Sequence, residues 1–411
     1  MEAVDIVIIG GGITGVGIAQ RAQASGYRVV LLERGALGEQ TSANSSKLIH
    51  GGLRYLESGQ LNLVRQSLAE RRALLSLAPD LVKAVPFYIP IYEGNQRGPM
   101  AIRAGLSLYA LLSELDPLGY FNRIHESQWP SLGIKLTGLQ AVFRYFDAQT
   151  DDHQLTLAVA QSAAELGAKI MTQVELQQIA HDSSGCVLTY LQSESSEEKQ
   201  LFAKCVINAT GPWVNQTLAR VTPTPAPIEI SLVQGSHLLL DIAPPPGILY
   251  LESIYDKRVV FVIPWEGQTL LGTTETQVDS PEQAGVTMEE TDYLLGIYSH
   301  YFPYYSIDQL KQKLTGTYCG MRVLPKLGGA AFDRPRETLM HSLDTHPQLL
   351  SIYGGKLTTF RHTAKEAVQW VKERIGARPI KADVDTLRLK PPGGAESIKS
   401  IPRDDFLVEN G

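Results

Sequence analysis

A glycine-rich turn near the N-terminus constrains the fold more than any other feature of the sequence. An apolar strand pattern at residues 5–9 runs directly into this turn, and a helix pattern follows it. Gly10 permits a tight turn, Gly12 lets the backbone approach a pyrophosphate, and Gly15 lets helix and strand pack closely. This order of elements predicts a βαβ unit that binds a dinucleotide at the N-terminus of its helix.

An acidic residue ends the second strand of the predicted unit. Residues 27–32 form the next strand pattern, and the Glu33 carboxylate that follows can accept hydrogen bonds from both ribose hydroxyls. NAD and FAD share this fingerprint, so the choice between them depends on two later turns. Residues 208–211 and 352–359 each end a strand pattern with glycine, and the second precedes a helix whose N-terminus can stabilise charge on a reduced flavin. Together these turns favour FAD.

Composition and charge exclude several other classes of protein. The chain has 411 residues, enough for two or three domains, and 44% hydrophobic with 19% charged residues is a globular composition. A net charge of -6 argues against a nucleic-acid-binding surface. No apolar stretch reaches the roughly 18 residues of a membrane span, and the N-terminus lacks signal-peptide features. We therefore predict a cytoplasmic α/β protein.

No metal site is predicted either. Cys186, Cys205 and Cys319 are too widely spaced for a disulfide framework or a thiolate cluster. Residues 151–153 read Asp-Asp-His and resemble metal ligands, but no partner cluster accompanies them, so we interpret them as a helix N-terminus.

Strand patterns dominate between residues 223 and 276, which predicts a β-rich domain inserted into the nucleotide-binding domain.

A longer motif follows the first βαβ unit and identifies a family. Residues 41–57 read Thr-Ser-Ala-Asn-Ser-Ser-Lys-Leu-Ile-His-Gly-Gly-Leu-Arg-Tyr-Leu-Glu, which closely resembles the signature of FAD-dependent glycerol-3-phosphate dehydrogenases and oxidases. The resemblance extends from about residue 5 to about residue 371. Further motifs fall in the same order as in that family, at residues 211–213, 234–237, 260–265, 272–274, 320–322 and 354–359.

The resemblance implies the fold. We expect a Rossmann-like FAD-binding domain of the glutathione-reductase and D-amino-acid-oxidase type, with an inserted antiparallel β-rich substrate domain. Residues 391–411 are expected to form a short tail, with the family's helical C-terminal domain absent. The expected FAD-binding domain is discontinuous (1–85, 145–215 and 335–390), and so is the substrate-binding domain (86–144 and 216–334).

The resemblance also implies which residues contact FAD. Hydroxyl groups between residues 41 and 46 suit hydrogen bonds to the pyrophosphate and the flavin, and neighbouring side chains would line the flavin. The predicted cofactor-binding residues are Gly10, Gly12, Thr14, Gly15, Glu33, Arg34, Thr41, Ser42, Ser45, Ser46, Lys47, Leu48, His50, Val174, Gly211, Gly355, Leu357 and Thr358.

Cationic residues in the family's motifs are expected to bind the substrate's phosphate. A phosphate dianion needs several donors, and guanidinium groups supply them in pairs. The family's proline after the second arginine is Val323 here, so the segment that follows departs from the family pattern. The predicted cations are Arg54, Arg322, Lys356 and Arg336, with Arg334 as the alternative to the last.

A general base completes the predicted site. His237 follows Gly235 and Ser236 at the start of a strand, and an imidazole has a suitable resting pKa. The alternatives are His50 and a proton transfer assisted by Lys356 or Arg322. We expect the phenol of Tyr55 to close the pocket.

The resemblance implies oxidation of sn-glycerol 3-phosphate to dihydroxyacetone phosphate by hydride transfer to flavin N5, with quinone or oxygen as electron acceptor. The altered segment after Arg322 leaves a second alternative, oxidation of another small hydroxy or amino acid. A third is a flavin-binding sensor or scaffold without catalysis.

Residues 98–115 are amphipathic and flanked by basic Arg97. We interpret them as a core-facing helix, with a peripheral membrane contact on the cytoplasmic face as the alternative.

Overall fold

Two mixed sheets and eight helices make up the described part of the chain. The structure, a computed structural model, describes residues 1–114, 116–192, 195–256, 258–326 and 338–393, so Arg334 and Arg336 lie outside the described residues. The helices are α1 Ile13–Ala24, α2 Leu61–Leu77, α3 Pro99–Leu112, α4 Asp152–Glu165, α5 Val214–Leu218, α6 Met288–Tyr301, α7 Ile307–Gln312 and α8 Phe360–Ile375. The strands are β1 Glu2–Ile9, β2 Val29–Leu32, β3 Leu48–Ile49, β4 Val82–Tyr92, β5 Phe121–Arg123, β6 Leu139–Thr150, β7 Lys169–Met171, β8 Val174–Asp182, β9 Gly185–Gln192, β10 Ser195–Asn208, β11 Val221–Thr222, β12 Ile230–Leu240, β13 Ile248–Glu252, β14 Val259–Trp265, β15 Gln268–Gly272, β16 Thr276–Val278, β17 Leu314–Pro325, β18 Leu339–His341 and β19 Leu349–Tyr353.

The first sheet places the ends of several parallel strands at one edge. Its order is β11-β8-β9-β10-β1-β2-β7, and β19 pairs with β10 and β18. In the parallel registers, Ile9 lies opposite both Leu32 and Asn208, and Asn208 lies opposite Ser351. The loops that follow β1, β2, β10 and β19 therefore leave the sheet side by side. In sheets of this kind ligands bind at this edge.

Helices α1, α4 and α8 cover one face of that sheet. The small residues of α1 allow a close approach, since a Cβ on Gly17 would lie 2.6 Å from the Phe360 ring of α8. Apolar side chains such as Val16, Leu155 and Val371 fill the space between the helices and the sheet and are completely buried. Packing of this kind fixes α1, and with it the turn at its N-terminus.

The second sheet is largely antiparallel. Its order is β16-β12-β15-β14-β13-β4-β6-β3, with β17 paired to β12 and β5 to β6. One of the two longest pairings joins β12 to β17 and places Val233 opposite Arg322 and His237 opposite Tyr318. Because β3 belongs to this sheet and follows the loop after β2, the segment from residue 41 to residue 50 passes from one sheet to the other. The predicted division into domains stays a prediction.

The helix expected at residues 98–115 runs from Pro99 to Leu112 and packs on the second sheet. Ile102, Leu106 and Tyr109 are buried against the core, whereas Leu111 on the outer face is 63% exposed. None of the helices in the described residues combines the length and apolarity that crossing a bilayer requires. The Asp151 carboxylate accepts the Gln154 amide at 3.0 Å, so residues 151–153 form the N-terminus of α4 as expected.

Candidate active site

One cavity of about 510 Å³ joins the open edge of the first sheet to the second sheet. Of the predicted site residues that the structure describes, all except Gly15 and Lys47 line it. The lining therefore includes, from the prediction, Gly10, Gly12, Thr14, Glu33, Arg34, Thr41, Ser42, Ser45, Ser46, Leu48, His50, Arg54, Tyr55, Val174, Gly211, His237, Arg322, Gly355, Lys356, Leu357 and Thr358.

The glycine-rich turn forms a backbone cradle that fits a pyrophosphate. A Cβ on Gly10 would lie 2.6 Å from the Ala209 carbonyl oxygen, and a Cβ on Gly15 would lie 1.9 Å from the Gly10 carbonyl oxygen. A side chain at either position would clash with backbone atoms. Gly15 therefore lies behind the turn and lets α1 start directly at the end of β1. The first amides of α1 then face the cavity.

Polar oxygens surround the start of α1. The Glu33 carboxylate accepts the amide of Gly11 at 2.5 Å and the amide of Gly35 at 2.7 Å. The Ser42 hydroxyl accepts the Ile13 amide at 2.9 Å. A carboxylate at the end of β2 can accept ribose hydroxyls, and a hydroxyl beside the helix N-terminus can donate to a phosphate. This donor set fits the adenosine and pyrophosphate parts of FAD.

Residues beyond Glu33 extend the same end of the cavity. Val174 donates its amide to the Glu33 carbonyl oxygen at 2.9 Å, which places β8 beside the end of β2. The Arg34 guanidinium lies over the Trp213 ring, 5.1 Å from its centroid. Gly211, in the turn after β10, has a φ of 54°. The contact between Arg34 and Trp213 therefore joins the turn after β2 to the turn after β10, and both turns line the cavity.

The segment of residues 41–50 is held from behind by a buried carboxylate. Asp152 Oδ2 accepts the Ser45 amide at 2.9 Å and the Ser45 hydroxyl at 2.6 Å. Asp152 Oδ1 pairs with Lys47 Nζ at 2.6 Å, and Lys47 also donates to the Ala43 carbonyl oxygen. Burial raises the pKa of Asp152, although Lys47 acts in the opposite direction. Lys47, predicted to line the flavin, instead lies buried in this ion pair and shapes the loop.

The loop after β19 contacts both of the earlier segments. Gly354 and Gly355 have φ values of 76° and 123°, a conformation that glycine adopts without strain. The Thr358 hydroxyl accepts the His50 amide at 3.3 Å, and a Cβ on Gly355 would lie 3.3 Å from Thr14 Oγ1. The loop then leads into α8. Residues 354–358 line the cavity, and the contact of this loop with the flavin stays a prediction.

His237, the predicted general base, is almost completely buried at the cavity wall. Its Nε2 lies 2.8 Å from the Ser46 hydroxyl, and its ring stacks on Tyr318 with centroids 4.9 Å apart. A Cβ on Gly272 would lie 2.3 Å from the ring, so glycine is needed there. Burial, helped by the charges of Arg322 and Lys47, lowers the pKa of His237 to about 3. The imidazole is therefore neutral near pH 7 and can accept a proton, but it is a weak base.

Three guanidinium groups surround one carboxylate in the cavity. Glu275 Oε1 lies 2.9 Å from Arg322 Nη1 and 3.6 Å from Arg54 Nη1, and Glu275 Oε2 lies 3.6 Å from Arg258 Nη1. Arg54 comes from a 3-10 turn at Leu53–Leu56, and Arg322 comes from β17. These cations converge from distant parts of the chain and form a site suited to an anion with several oxygens.

The remaining predicted residues lie in the same cavity lining. Lys356 Nζ lies 4.0 Å from the centroid of the Tyr55 ring, which is cation–π distance. Gly235 makes room for the second arginine, because a Cβ there would lie 3.2 Å from Arg322 Nη2. Tyr55 and Lys356 therefore lie together, as the predicted pocket requires.

Two charged residues of the site were missed from the sequence. Glu275 directly follows the motif at residues 272–274, so reading that motif one residue further would have found it. Arg258 precedes β14 without any recognisable motif. Tyr250 and Phe261 also line the cavity and meet edge to face at 5.5 Å. Both rings lie in mainly apolar strands, and only the pairing of β13 with β14 brings them together.

Comparisons with known proteins agree with this fold and site. The family model of FAD dependent oxidoreductases matches residues 5–361. The chain is 36% identical over 392 residues to a glycerol-3-phosphate dehydrogenase of Synechocystis sp. (91% of this chain, 70% of that protein). It is 32% identical over 376 residues to a D-erythritol 1-phosphate dehydrogenase of Brucella abortus (90% and 74%).

A solved structure shows the same similarity. The glycerol-3-phosphate dehydrogenase of Bacillus halodurans complexed with FAD superposes with a TM-score of 0.72 at 25% identity, covering 94% of this chain and 68% of that one. The expected fold class and FAD as cofactor are thereby confirmed. The chain belongs to the family of FAD-dependent oxidoreductases that includes the D-amino-acid-oxidase-like enzymes.

Proposed function

We propose that this enzyme oxidises sn-glycerol 3-phosphate to dihydroxyacetone phosphate. The observation that carries the proposal is the cluster of Arg54, Arg258 and Arg322 in the same cavity as the glycine turns. A phosphorylated small molecule is the ligand that such a cluster suits. The Synechocystis and Bacillus halodurans relatives named as glycerol-3-phosphate dehydrogenases support the same substrate.

The reaction removes a proton from the C2 hydroxyl and a hydride from C2. Bound FAD supplies the hydride acceptor at N5. Arg54 and Arg322 would bind the phosphate and so fix the substrate's orientation. The entropy cost of orienting the substrate is then met on binding and not in the chemical step. Lys356 would stabilise negative charge on the C2 oxygen as its proton leaves.

The proton would pass to His237, with His50 as the alternative acceptor. Burial lowers the pKa of His237 to about 3, so near pH 7 its imidazole is a poor proton acceptor, and stabilisation of the C2 oxygen by Lys356 would have to assist the transfer. The hydrogen bond to Ser46 fixes the orientation of the His237 ring.

A longer polyol phosphate is the second candidate substrate. The Brucella abortus relative, at 32% identity, is named for D-erythritol 1-phosphate, which carries the same phosphate group on a chain one carbon longer. The same arginines would bind that phosphate. The lining of Tyr250 and Phe261 would then decide which carbon chain fits.

The electron acceptor is quinone or oxygen. We propose that, if quinone is the acceptor, the outer face of α3 makes the peripheral membrane contact. Met100 is 87% exposed and Leu111 63% exposed, and the exposed Arg103 lies on the same helix. Co-sedimentation with anionic lipid vesicles tests this contact, and the double substitution Met100→Glu with Leu111→Glu should abolish it.

A substrate panel tests the proposed function. Turnover of the FAD-loaded enzyme is measured with sn-glycerol 3-phosphate, D-erythritol 1-phosphate, glycolate and glycine, each with a quinone analogue and with oxygen. We expect kcat/KM for glycerol 3-phosphate to exceed that for erythritol phosphate by about 10-fold, the difference that one methylene-sized mismatch makes. Turnover of the two acids with glycerol 3-phosphate inert would contradict the proposal. FAD binding without any turnover would favour a sensor or scaffold.

A further inference from the structure

Glu275 places a negative charge in the middle of the proposed phosphate site. Its carboxylate contacts Arg54, Arg258 and Arg322 and lines the cavity, with 17% of the side chain exposed. A carboxylate repels a phosphate that approaches the same guanidinium groups. Its presence therefore needs an explanation that the binding of phosphate alone does not give.

The backbone on both sides of Glu275 is firmly held. Thr274 and Thr276 donate their hydroxyls to Glu290 Oε1 at 2.6 and 2.7 Å. Glu290 Oε2 also accepts the Ser236 hydroxyl of β12 at 2.8 Å. Burial acts to raise the pKa of Glu290, but these hydrogen bonds outweigh it and lower the pKa, so Glu290 stays charged. The segment is thus fixed between β12 and α6, and Glu275 points at the arginines from a rigid frame.

Glu275 lowers the net positive charge of the cluster. Arg258 also pairs with Asp256 at 2.5 Å, so the three guanidinium groups and the two carboxylates leave a net charge of +1 among these five side chains. Without Glu275 the same side chains would carry +2. Binding that is equally strong for substrate and product lowers KM without accelerating the chemical step, and it slows product release.

We infer that Glu275 is an internal counter-ion of the phosphate site, which weakens the binding of phosphorylated substrate and product equally and so speeds product release. The inference rests on the proposed function, because it assumes that the arginines bind a phosphate. Glu275 also supplies the arginines with an anionic partner when substrate is absent, which keeps their guanidinium groups oriented toward one point.

Replacing the charge without changing the shape tests this inference. Glu275→Gln keeps a carbonyl acceptor for Arg322 and removes the negative charge. In the FAD-loaded enzyme, we expect the Kd of inorganic phosphate, measured by calorimetry, to fall about 10-fold through loss of like-charge repulsion. KM for glycerol 3-phosphate and kcat should both fall, because product leaves more slowly.

Two further variants make the test specific. Glu275→Ala should also lower the phosphate Kd, which covers the case in which the glutamine variant does not fold. Asp292→Asn removes one negative charge from an exposed residue of α6 that pairs with Lys311. It changes the net charge of the protein equally, so we expect it to leave the phosphate Kd within about 2-fold of the wild-type value.

The direction in which the phosphate Kd changes in the Glu275 variants decides the outcome. A phosphate Kd that rises in both Glu275 variants would overturn the inference, since Glu275 would then serve only to organise the arginines. So would an unchanged Kd with flavin reduction about 100-fold slower, which is the effect of removing a general base. Phosphate binding needs no turnover. A wild-type enzyme that binds phosphate but does not oxidise glycerol 3-phosphate would contradict the proposed function and leave the counter-ion role standing.

Discussion

The nucleotide-binding end of the cavity consists mainly of backbone, whereas the proposed phosphate site consists of side chains. Gly10 and Gly15 lie in one short segment, and their close contacts are with the carbonyl oxygens of Ala209 and Gly10. Arg54, Glu275 and Arg322 come from three separate segments, and the last two are 47 residues apart. The first region depends on close backbone packing at the ends of the parallel strands β1 and β10, and the second on side chains that distant segments bring together. FAD binding and phosphate binding should therefore be lost independently when one region or the other is changed.

The largest effect is expected from Gly15→Ala. The new methyl group would lie 1.9 Å from the Gly10 carbonyl oxygen, so β1 and α1 would have to separate. We expect almost complete loss of bound FAD and a free energy of unfolding lower by about 3 kcal/mol. The measurements are flavin absorbance per chain and urea denaturation.

A matched glycine on another helix supplies the control. Gly105→Ala in α3 places its methyl group where the structure has nothing within 4 Å among the described residues. We expect it to keep FAD and to gain about 0.5–1 kcal/mol in helix stability. Full FAD occupancy in the Gly15 variant would show that the backbone cradle is not what binds the cofactor.

The next largest effect is expected from Arg322→Ala, which affects only the phosphate site. The loss of one half-buried, hydrogen-bonded charge partner should lower kcat/KM for glycerol 3-phosphate about 10³-fold, by raising KM and lowering kcat. FAD content should not change. Arg123→Ala, at an exposed arginine that donates to the Gln140 carbonyl oxygen, serves as the control. An unchanged kcat/KM would remove Arg322 from the site.

The N-terminal region could be predicted in detail because its signals are local. A strand was expected at residues 27–32 and runs from Val29 to Leu32, and the glycine turn lies between β1 and α1 as expected. Residues 259–265 form β14, inside the stretch from residue 223 to residue 276 where strands were expected to dominate. In these segments the apolar pattern, the turn residues and the tertiary contacts all agree.

The long strands of the second sheet could not be predicted in the same way. β4 contains Pro86 and Pro90, which oppose strand assignment, and β17 contains Gly316 and Gly320. Their conformation follows from pairing with β6 and β12, far away in the sequence. Because β17 carries Arg322, the geometry of the phosphate site depends on a strand that local patterns do not show.

Individual side chains show the same limit. Lys47 was expected to line the flavin because it lies in the signature segment, yet its partner Asp152 is 105 residues later. Only the packing of α4 behind the loop decides that the two charges meet. Arg258 likewise reaches the cavity through the position of β14 rather than through a motif. Motifs thus indicated the segments of the site, and the tertiary structure determined the direction of each side chain.

A smaller effect concerns the pH dependence of stability at His237, where the phosphate site borders the signature segment. Its pKa is about 3 when folded and about 6.5 when unfolded, so the unfolded chain binds the extra proton. The contribution of the neutral His237 imidazole to the free energy of unfolding is therefore complete above pH 6.5, and it is lost as the pH falls toward 3. Between pH 6.5 and 4.5 the wild type should lose about 2–3 kcal/mol more than His237→Gln, measured by urea denaturation. Parallel losses would contradict this assignment.

The smallest effect is expected from Tyr109→Phe, which loosens the segment that joins the two regions. The Tyr109 hydroxyl accepts the Gly51 amide at 2.8 Å and donates to the buried Asp147 carboxylate at 2.6 Å. Without it, we expect a loss of about 1–2 kcal/mol in stability and a fall of about 10-fold in kcat/KM, with FAD retained. Tyr120→Phe, at a tyrosine that is 59% exposed, is the control and should change neither. If Tyr109→Phe lost its FAD instead, the hydrogen bond to Gly51 would serve the cofactor site and not the connection between the two regions.

The central claim is that one cavity holds both a flavin and a phosphorylated alcohol, and an anaerobic reduction experiment tests it most directly. The FAD-loaded enzyme is mixed without oxygen with sn-glycerol 3-phosphate or, as a control, with glycerol. We predict that the phosphate ester bleaches the visible flavin absorbance completely and that glycerol leaves it unchanged at the same concentration. A flavin spectrum that glycerol 3-phosphate does not alter would contradict the claim.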